Sequence, residues 1–314
     1  IQNIFNEVGC VHYEKKPFPN TLRIIGRLNC FSSCLLGSQQ KKLCHREGMP
    51  NFRNKSIGEF AAVKDLISIA EMTKPDSIKI IGINNSNIDY VCKIVSNLHD
   101  VGFNDISTTC ADFSFVDEIF PKLEKAGLSR ATISVHRFSN IEKSLLEMTM
   151  NELRNTNLSS IKVNRVLLAS QISDLEQMIN WIQEKNLTLR LFSLIQTANN
   201  KKFFEKESVH WYTQLPIFKN KIERIECEEF MISNRIRLRM QLFGGGIIET
   251  NLPTIQAPNK FVIIPECRTC NLKSTCEEGY FGCGIRLGPD SKVYPCLLRP
   301  DLSFDFKERS DRDA

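Results

Sequence analysis

The sequence predicts an α/β protein on a largely parallel sheet, open or curled into a partial barrel, followed by a smaller cysteine-rich region. Three observations predict it. Six strand-like runs between residues 21 and 195 alternate with helical periodicity in most of the gaps. Those runs are mostly continuous in apolar residues, as strands covered on both faces are. Beyond about residue 218 the text changes to alternating strands and closely spaced cysteines. The expected division is an N-terminal segment over 1–20, a β/α region over 21–218 and a C-terminal domain over 219–314.

The elements follow in order. TLRIIGR at 21–27 is rich in β-branched and aliphatic residues and reads as the first strand. Residues 56–73 carry Phe60, Val63, Leu66, Ile67, Ile69 and Ala70 at near-helical spacing, with Ser56 and Glu59 as a capping box. SIKIIGI at 77–83 is a strand, about 86–101 a helix, and NDISTT at 104–109 a short strand. Residues 113–126 are helical, stop at Gly127 and can kink at Pro121. ATISV at 131–135 and IKVNRVLL at 161–168 are strands, 173–185 a helix, and LTLRLFSLI at 187–195 the sixth strand. KKFFEKESVHWYTQ reads as one more helix, with Trp181 and Trp211 as packing residues. In part of 222–241, Ile236, Leu238 and Met240 alternate with Arg235, Arg237 and Arg239, which is strand period; the arginine face reads as solvated, with contact to an anionic substrate or carrier as the alternative. Gly244 to Gly246 make a turn or flexible loop. Arg286-Leu287 and Lys292 to Tyr294 flank Pro289-Asp290-Ser291 as a hairpin, and the tail KERSDRDA is loose.

Composition narrows the function classes. Hydrophobic residues make up 42% and charged residues 25%, ordinary for a soluble globular chain. No apolar run approaches the length of a membrane span, and no secretory leader is visible, although the chain begins at Ile1. The net charge of +5, from 41 basic and 36 acidic side chains, tolerates an anionic ligand but does not imply nucleic acid. Of twelve cysteines, eight fall in two short blocks at opposite ends of the chain. A secreted disulfide scaffold spreads its cysteines through a small domain, so two metal sites in a reducing cytoplasm fit better.

The first block places Cys30, Cys34 and Cys44 as C-x3-C-x9-C directly after the first strand. In parallel sheets the reactive groups gather on loops at the carboxyl ends of strands. Three thiolates hold three corners of a [4Fe-4S] cluster and leave the fourth iron open to a ligand. The alternative is zinc on three thiolates and His45, weakened because adjacent Cys44 and His45 have difficulty reaching one ion. Leu22 to Arg27, Asn29-Cys30, Cys34 and Leu43-Cys44-His45 resemble the strand and loop of radical S-adenosylmethionine (SAM) enzymes, with seven extra residues before the third cysteine.

The middle of the chain extends the resemblance to the branch containing the GTP-cyclising enzyme of molybdopterin biosynthesis. Gly82-Ile83-Asn84-Asn85 stands where that branch has Gly-Gly-Glu-Pro, and only the first glycine matches. Thr108-Thr109-Cys110-Ala111, Ala126-Gly127-Leu128, Ala131 to Val135, Ile161 to Asn164 and Leu189 to Phe192 are each similar to the family's text, in the same order. The resemblance implies a partial (β/α)6 TIM-like barrel in which Leu43, Gly82, Asn84, Thr109, Ser134 and Asn164 contact SAM. It implies cleavage of SAM to a 5′-deoxyadenosyl radical that abstracts hydrogen from a substrate. An electron donor such as flavodoxin or ferredoxin is implied as well.

The second block carries Cys267, Cys270, Cys276, Cys283 and Cys296 as C-x2-C-x5-C-x6-C-x12-C, a strong metal signal. It resembles the SPASM or twitch domains that hold an auxiliary [4Fe-4S] cluster, and a four-thiolate zinc ribbon is the alternative. Which four of the five ligate is open, and Cys283 or Tyr280 can relay a hydrogen atom instead. Gly284 to Leu287 is similar to the GTP-binding segment of the cyclising enzyme but keeps one arginine, Arg286, and the chain ends Arg312-Asp313-Ala314 rather than Gly-Gly. GTP cyclisation is therefore not expected. The expected function is a radical SAM oxidoreductase or tailoring enzyme acting on a peptide or a natural product. A non-catalytic zinc- or cluster-binding protein on a degenerate barrel is the alternative.

Overall fold

The computed structural model describes residues 11–16, 21–25, 63–83, 87–110, 116–135, 137–196, 201–230, 235–253, 270, 284–288, 292–296 and 299–305. Their contacts group the chain into two compact units. The first comprises Ile1–Phe18, Ile133–Leu145 and Ile161–Gly279, the second Pro19–Thr132, Leu146–Ser160 and Tyr280–Ala314. The fold class is α/β, and most of the strand pairs recorded in the β/α region are parallel.

In the second unit, β2 (Thr21–Ile25), β3 (Ser77–Ile81) and β4 (Ile106–Cys110) pair in parallel. Helices α1 (Val63–Thr73) and α2 (Ile88–Asp100) join them. Leu22, Ile24, Ile78, Ile80 and Ile106 are buried on the strands, and Leu66, Ile69, Val91, Ile94, Val95 and Leu98 on the helices. The i, i+3, i+4 spacing of the helical set is what covers the sheet. Helix α3 (Val116–Lys125) keeps Pro121 inside it, exposed on its outer side, and gives way to Gly127 at φ 109°. The expected hairpin is present as β11 (Ile285–Leu287) and β12 (Lys292–Tyr294), antiparallel. Strand β13 (Phe304–Asp305) extends it, and β11 pairs in parallel with β2.

Strand β5 (Arg130–Ser134) and helix α4 (Asn140–Arg154) are shared between the units. The first unit holds β6 (Ser160–Val166), α5 (Leu175–Glu184) and β7 (Thr188–Phe192) in βαβ order, β6 and β7 parallel. Strand β10 (Ile247–Pro253) adds in parallel to β7. Beyond it lie β9 (Arg235–Leu242), antiparallel to β10, then β8 (Ile222–Phe230), antiparallel to β9, then β1 (Val11–Lys16), parallel to β8. Val163, Leu189, Leu191, Leu238, Met240 and Ile248 supply its strand core, and Met178, Ile179, Trp181 and Ile182 cover it from α5.

The alternating run within 222–241 is strand β9, as expected, and β8 precedes it in antiparallel pairing. Two expectations need correction. KKFFEKESVHWYTQ is not one helix: α6 (Lys201–Glu207) ends where Ser208 bridges Leu168, and a single 3-10 turn covers Trp211–Gln214 before α7 (Leu215–Phe218). Helix α4 and strands β1 and β10 had not been expected at all. On β9 the half-buried Arg237 and Arg239 are ion-paired rather than simply solvated, Arg237 with Glu228 at 3.2 Å and Arg239 with Glu226 at 3.4 Å, and the Arg235 side chain lies outside the described residues. Among the described residues no helix is long and apolar enough to cross a membrane. The capping box at Ser56, the turn Pro289 to Ser291 and the tail lie outside the described residues.

Candidate functional site

In the second unit the strands end in polar groups. Gly82 follows β3 with φ 83°, a conformation that glycine adopts without strain, and Asn87 Nδ2 donates to its carbonyl at 3.0 Å. Thr109 is the register partner of Ile81 on β4. The hydroxyls of its neighbours are satisfied: Ser107 Oγ donates to Ile78 O at 3.2 Å and Thr108 Oγ1 to Ile80 O at 3.1 Å. Thr109 Oγ1 is buried with no hydrogen-bond partner. An unmade bond of that kind costs about 1–3 kcal/mol, so this hydroxyl suits a polar ligand at the end of β4.

Beside β2, Arg286 on β11 is fully buried and stands in register with Arg23, which places two cations on one face of neighbouring strands. The close pairing requires Gly284. At φ 94°, a Cβ there would run into the carbonyl oxygen of Thr21.

In the first unit Ser134 closes β5, half-buried, and the next N–H, of Val135, donates to Asn164 O at 2.8 Å. The loop that follows is held down. Asp174 Oδ2 accepts the N–H of Phe138 at 2.6 Å, and Asp174 Oδ1 accepts from Arg165, whose side chain is fully buried. Phe138 packs on Trp181 with ring centroids 5.6 Å apart.

Asn164 belongs to a polar row across the sheet. Its register partner is Arg190 on β7, followed by Glu249 on β10, Arg239 on β9 and Glu226 on β8. Lys162, two residues before Asn164, shares that face, and its Nζ lies 2.8 Å from Glu249 Oε1. Burial pushes the Glu249 carboxyl up, but Lys162, Arg190 and Arg237 outweigh it and hold the net value below the usual range. Burial lowers the Lys162 ammonium, Glu249 opposes this, and repulsion from Arg190 and Arg237 leaves it net lowered. Burial is the largest cause of the Lys162 shift, and the two arginines add to it.

The expected SAM contacts Gly82, Thr109, Ser134 and Asn164 therefore lie at or near strand carboxyl ends, each described within its own unit. Cys296 is buried and Cys270 half-buried. Leu43, Asn84, Cys30, Cys34, Cys44, Cys267, Cys276 and Cys283 lie outside the described residues, as does Tyr280. Sequence reasoning passed over Arg23, Lys162, Arg190 and Glu249. The available signal was parity, since Lys162 and Asn164 must share a face if Val163 is core.

No family model matches the chain. It is 26% identical over 307 residues to a protein named probable GTP 3′,8-cyclase from Methanothermobacter thermautotrophicus, covering 91% of this chain and 86% of that protein. It is 24% identical over 306 residues to a protein of the same name from Methanothermobacter marburgensis, covering 92% and 87%. With the parallel order of the paired β/α strands, these likenesses support the radical SAM superfamily that the sequence resembles.

Proposed function

We propose that this enzyme abstracts hydrogen from an anionic substrate. On this reading residues 21–218 form the SAM barrel and 219–314 the auxiliary-cluster domain. Cys30, Cys34 and Cys44 hold the first cluster, and four of Cys267, Cys270, Cys276, Cys283 and Cys296 the second. Their thiolates are the donor set such clusters take. When bound, cluster and SAM supply the electron and the 5′-deoxyadenosyl group that takes the hydrogen atom. Leu43, Gly82, Asn84, Thr109, Ser134 and Asn164 bind SAM, and the unsatisfied Thr109 hydroxyl supports a polar ligand there. Flavodoxin or ferredoxin supplies the electron.

The observation that carries the substrate class is the cation-rich strand face. Lys162, Arg190, Arg237 and Arg239 crowd one buried carboxylate, Glu249, beside Asn164. Half-buried cations clustered at fixed positions favour an anion. The relatives' name makes a purine nucleoside triphosphate the first compound to test. A second reading, a carboxylate-bearing peptide or natural product, is favoured by two departures from the cyclising branch: Gly82-Ile83-Asn84-Asn85 in place of Gly-Gly-Glu-Pro, and the single arginine in Gly284 to Leu287. The test is 5′-deoxyadenosine release by reconstituted enzyme with SAM and dithionite. GTP, acidic peptides and uncharged analogues are each added. Stimulation by an anionic compound alone supports the reading, and equal stimulation by neutral analogues overturns it.

A further inference from the structure

We propose that Glu249 is a built-in counter-ion of this face: its carboxylate occupies the cations that an anionic substrate must engage, and so sets which anions the face accepts. The inference rests on the anionic-substrate reading above.

The geometry is specific to this residue. Glu249 is 3% exposed on β10, between β7 and β9. Its Oε1 accepts from Lys162 Nζ at 2.8 Å on one side and lies 3.4 Å from Arg239 Nε on the other. Arg190 is its register partner, and the Arg190 guanidinium stacks over Phe192 at 5.0 Å from the ring centroid. Cations from three strands thus converge on one carboxylate. The two arginines of β9 have carboxylates of their own on β8, Glu228 for Arg237 and Glu226 for Arg239. Glu249 is therefore the acid that answers Lys162 on this face.

A buried carboxylate is costly unless it is paired, and here it is paired in excess. Glu249 steadies the face when no ligand is bound, because the half-buried Lys162 and Arg190 lie close together on neighbouring strands. The same carboxylate competes with an incoming anion for the same donors. A ligand with one weak charge fails to displace it, and one with several charges succeeds, so the residue acts as a threshold on ligand charge.

The probe is inorganic tripolyphosphate, titrated calorimetrically into the cluster-reconstituted full chain. Glu249→Gln keeps the shape and removes the charge. It is expected to bind tripolyphosphate about tenfold more tightly than the parent, as removal of one like charge near a desolvated site does, while Glu249→Asp stays near the parent. A purely structural role predicts weaker binding and a lower melting temperature in Glu249→Gln. Equal or weaker binding by a folded Glu249→Gln overturns the proposal. Should that variant not fold, Lys162→Met decides: Glu249 then faces the site with its main partner gone, and binding is expected to fall at least about tenfold. Unchanged binding there overturns it. A parent enzyme that releases 5′-deoxyadenosine but binds no tripolyphosphate overturns both this inference and the anionic-substrate reading. A parent that binds tripolyphosphate with the stated variant effects but releases none upholds the counter-ion and overturns only the catalytic reading.

Discussion

The backbone N–H of Phe138 donates to Asp174 Oδ2 at 2.6 Å, so a carboxylate at the start of α5 holds the loop that leaves β5 four residues after Ser134. The same carboxylate answers the fully buried Arg165. Removing one partner of a buried pair leaves an uncompensated charge, whereas an apolar side chain in place of the buried one costs far less. Asp174→Ala is therefore expected to lose about 3 kcal/mol in urea unfolding, and Arg165→Met distinctly less. Equal losses would show that the guanidinium is not the costly group.

Gly284 tests how β11 joins β2. A methyl group there meets the Thr21 carbonyl oxygen, and φ 94° is strained for any L side chain. Gly284→Ala is expected to destabilise by at least about 2 kcal/mol, combining backbone strain with a forced shift of the pair. Hydrogen exchange of the β2 and β11 amides should accelerate. Protection equal to the parent's would contradict the register.

Thr109→Val separates ligand binding from folding. The hydroxyl makes no hydrogen bond, so its loss should leave the melting temperature unchanged or raised. If SAM satisfies it, the affinity for SAM should fall about tenfold, the worth of one hydrogen bond. A lower melting temperature with unchanged SAM affinity would count against the assignment.

The Lys162–Glu249 pair also fixes a pH dependence. The folded-state value of Glu249 is held below its ordinary one, so its contribution is present above the unfolded carboxylate value and is lost as pH falls through the folded value. Stability should decline below about pH 4, and Glu249→Gln should decline less over the same range. Parallel declines would show that the carboxylate is not stabilised in the folded state.

Much of this fold was legible, and the reasons are local. SIKII and TLRLF are uninterrupted apolar runs between turn signals, and both became strands at the expected places. Helix α4 was missed because its buried set is sparse: Leu146, Thr149, Met150 and Leu153, with Ile141 and Met148 exposed. Its start was nevertheless signed, since Ser139 donates to Glu142 three residues on. Strand β10 was missed because polar Glu249, Thr250 and Asn251 interrupt it, and those residues are held by partners distant in sequence. Glu249 bonds Lys162, Thr250 Oγ1 donates to Leu191 O, and Asn251 O accepts from Trp211 Nε1. The ion pairing of Arg237 and Arg239 was missed for the same reason, as their partners Glu226 and Glu228 belong to β8, a separate strand that had not been expected.

The central claim is that two iron–sulfur clusters and SAM cleavage belong to this chain. Anaerobic reconstitution with iron and sulfide, followed by counts of iron, sulfide and zinc per chain and by addition of SAM and dithionite, tests it most directly. About eight irons per chain with 5′-deoxyadenosine formed is the expected result. Zinc without iron uptake, and no cleavage product, would contradict it.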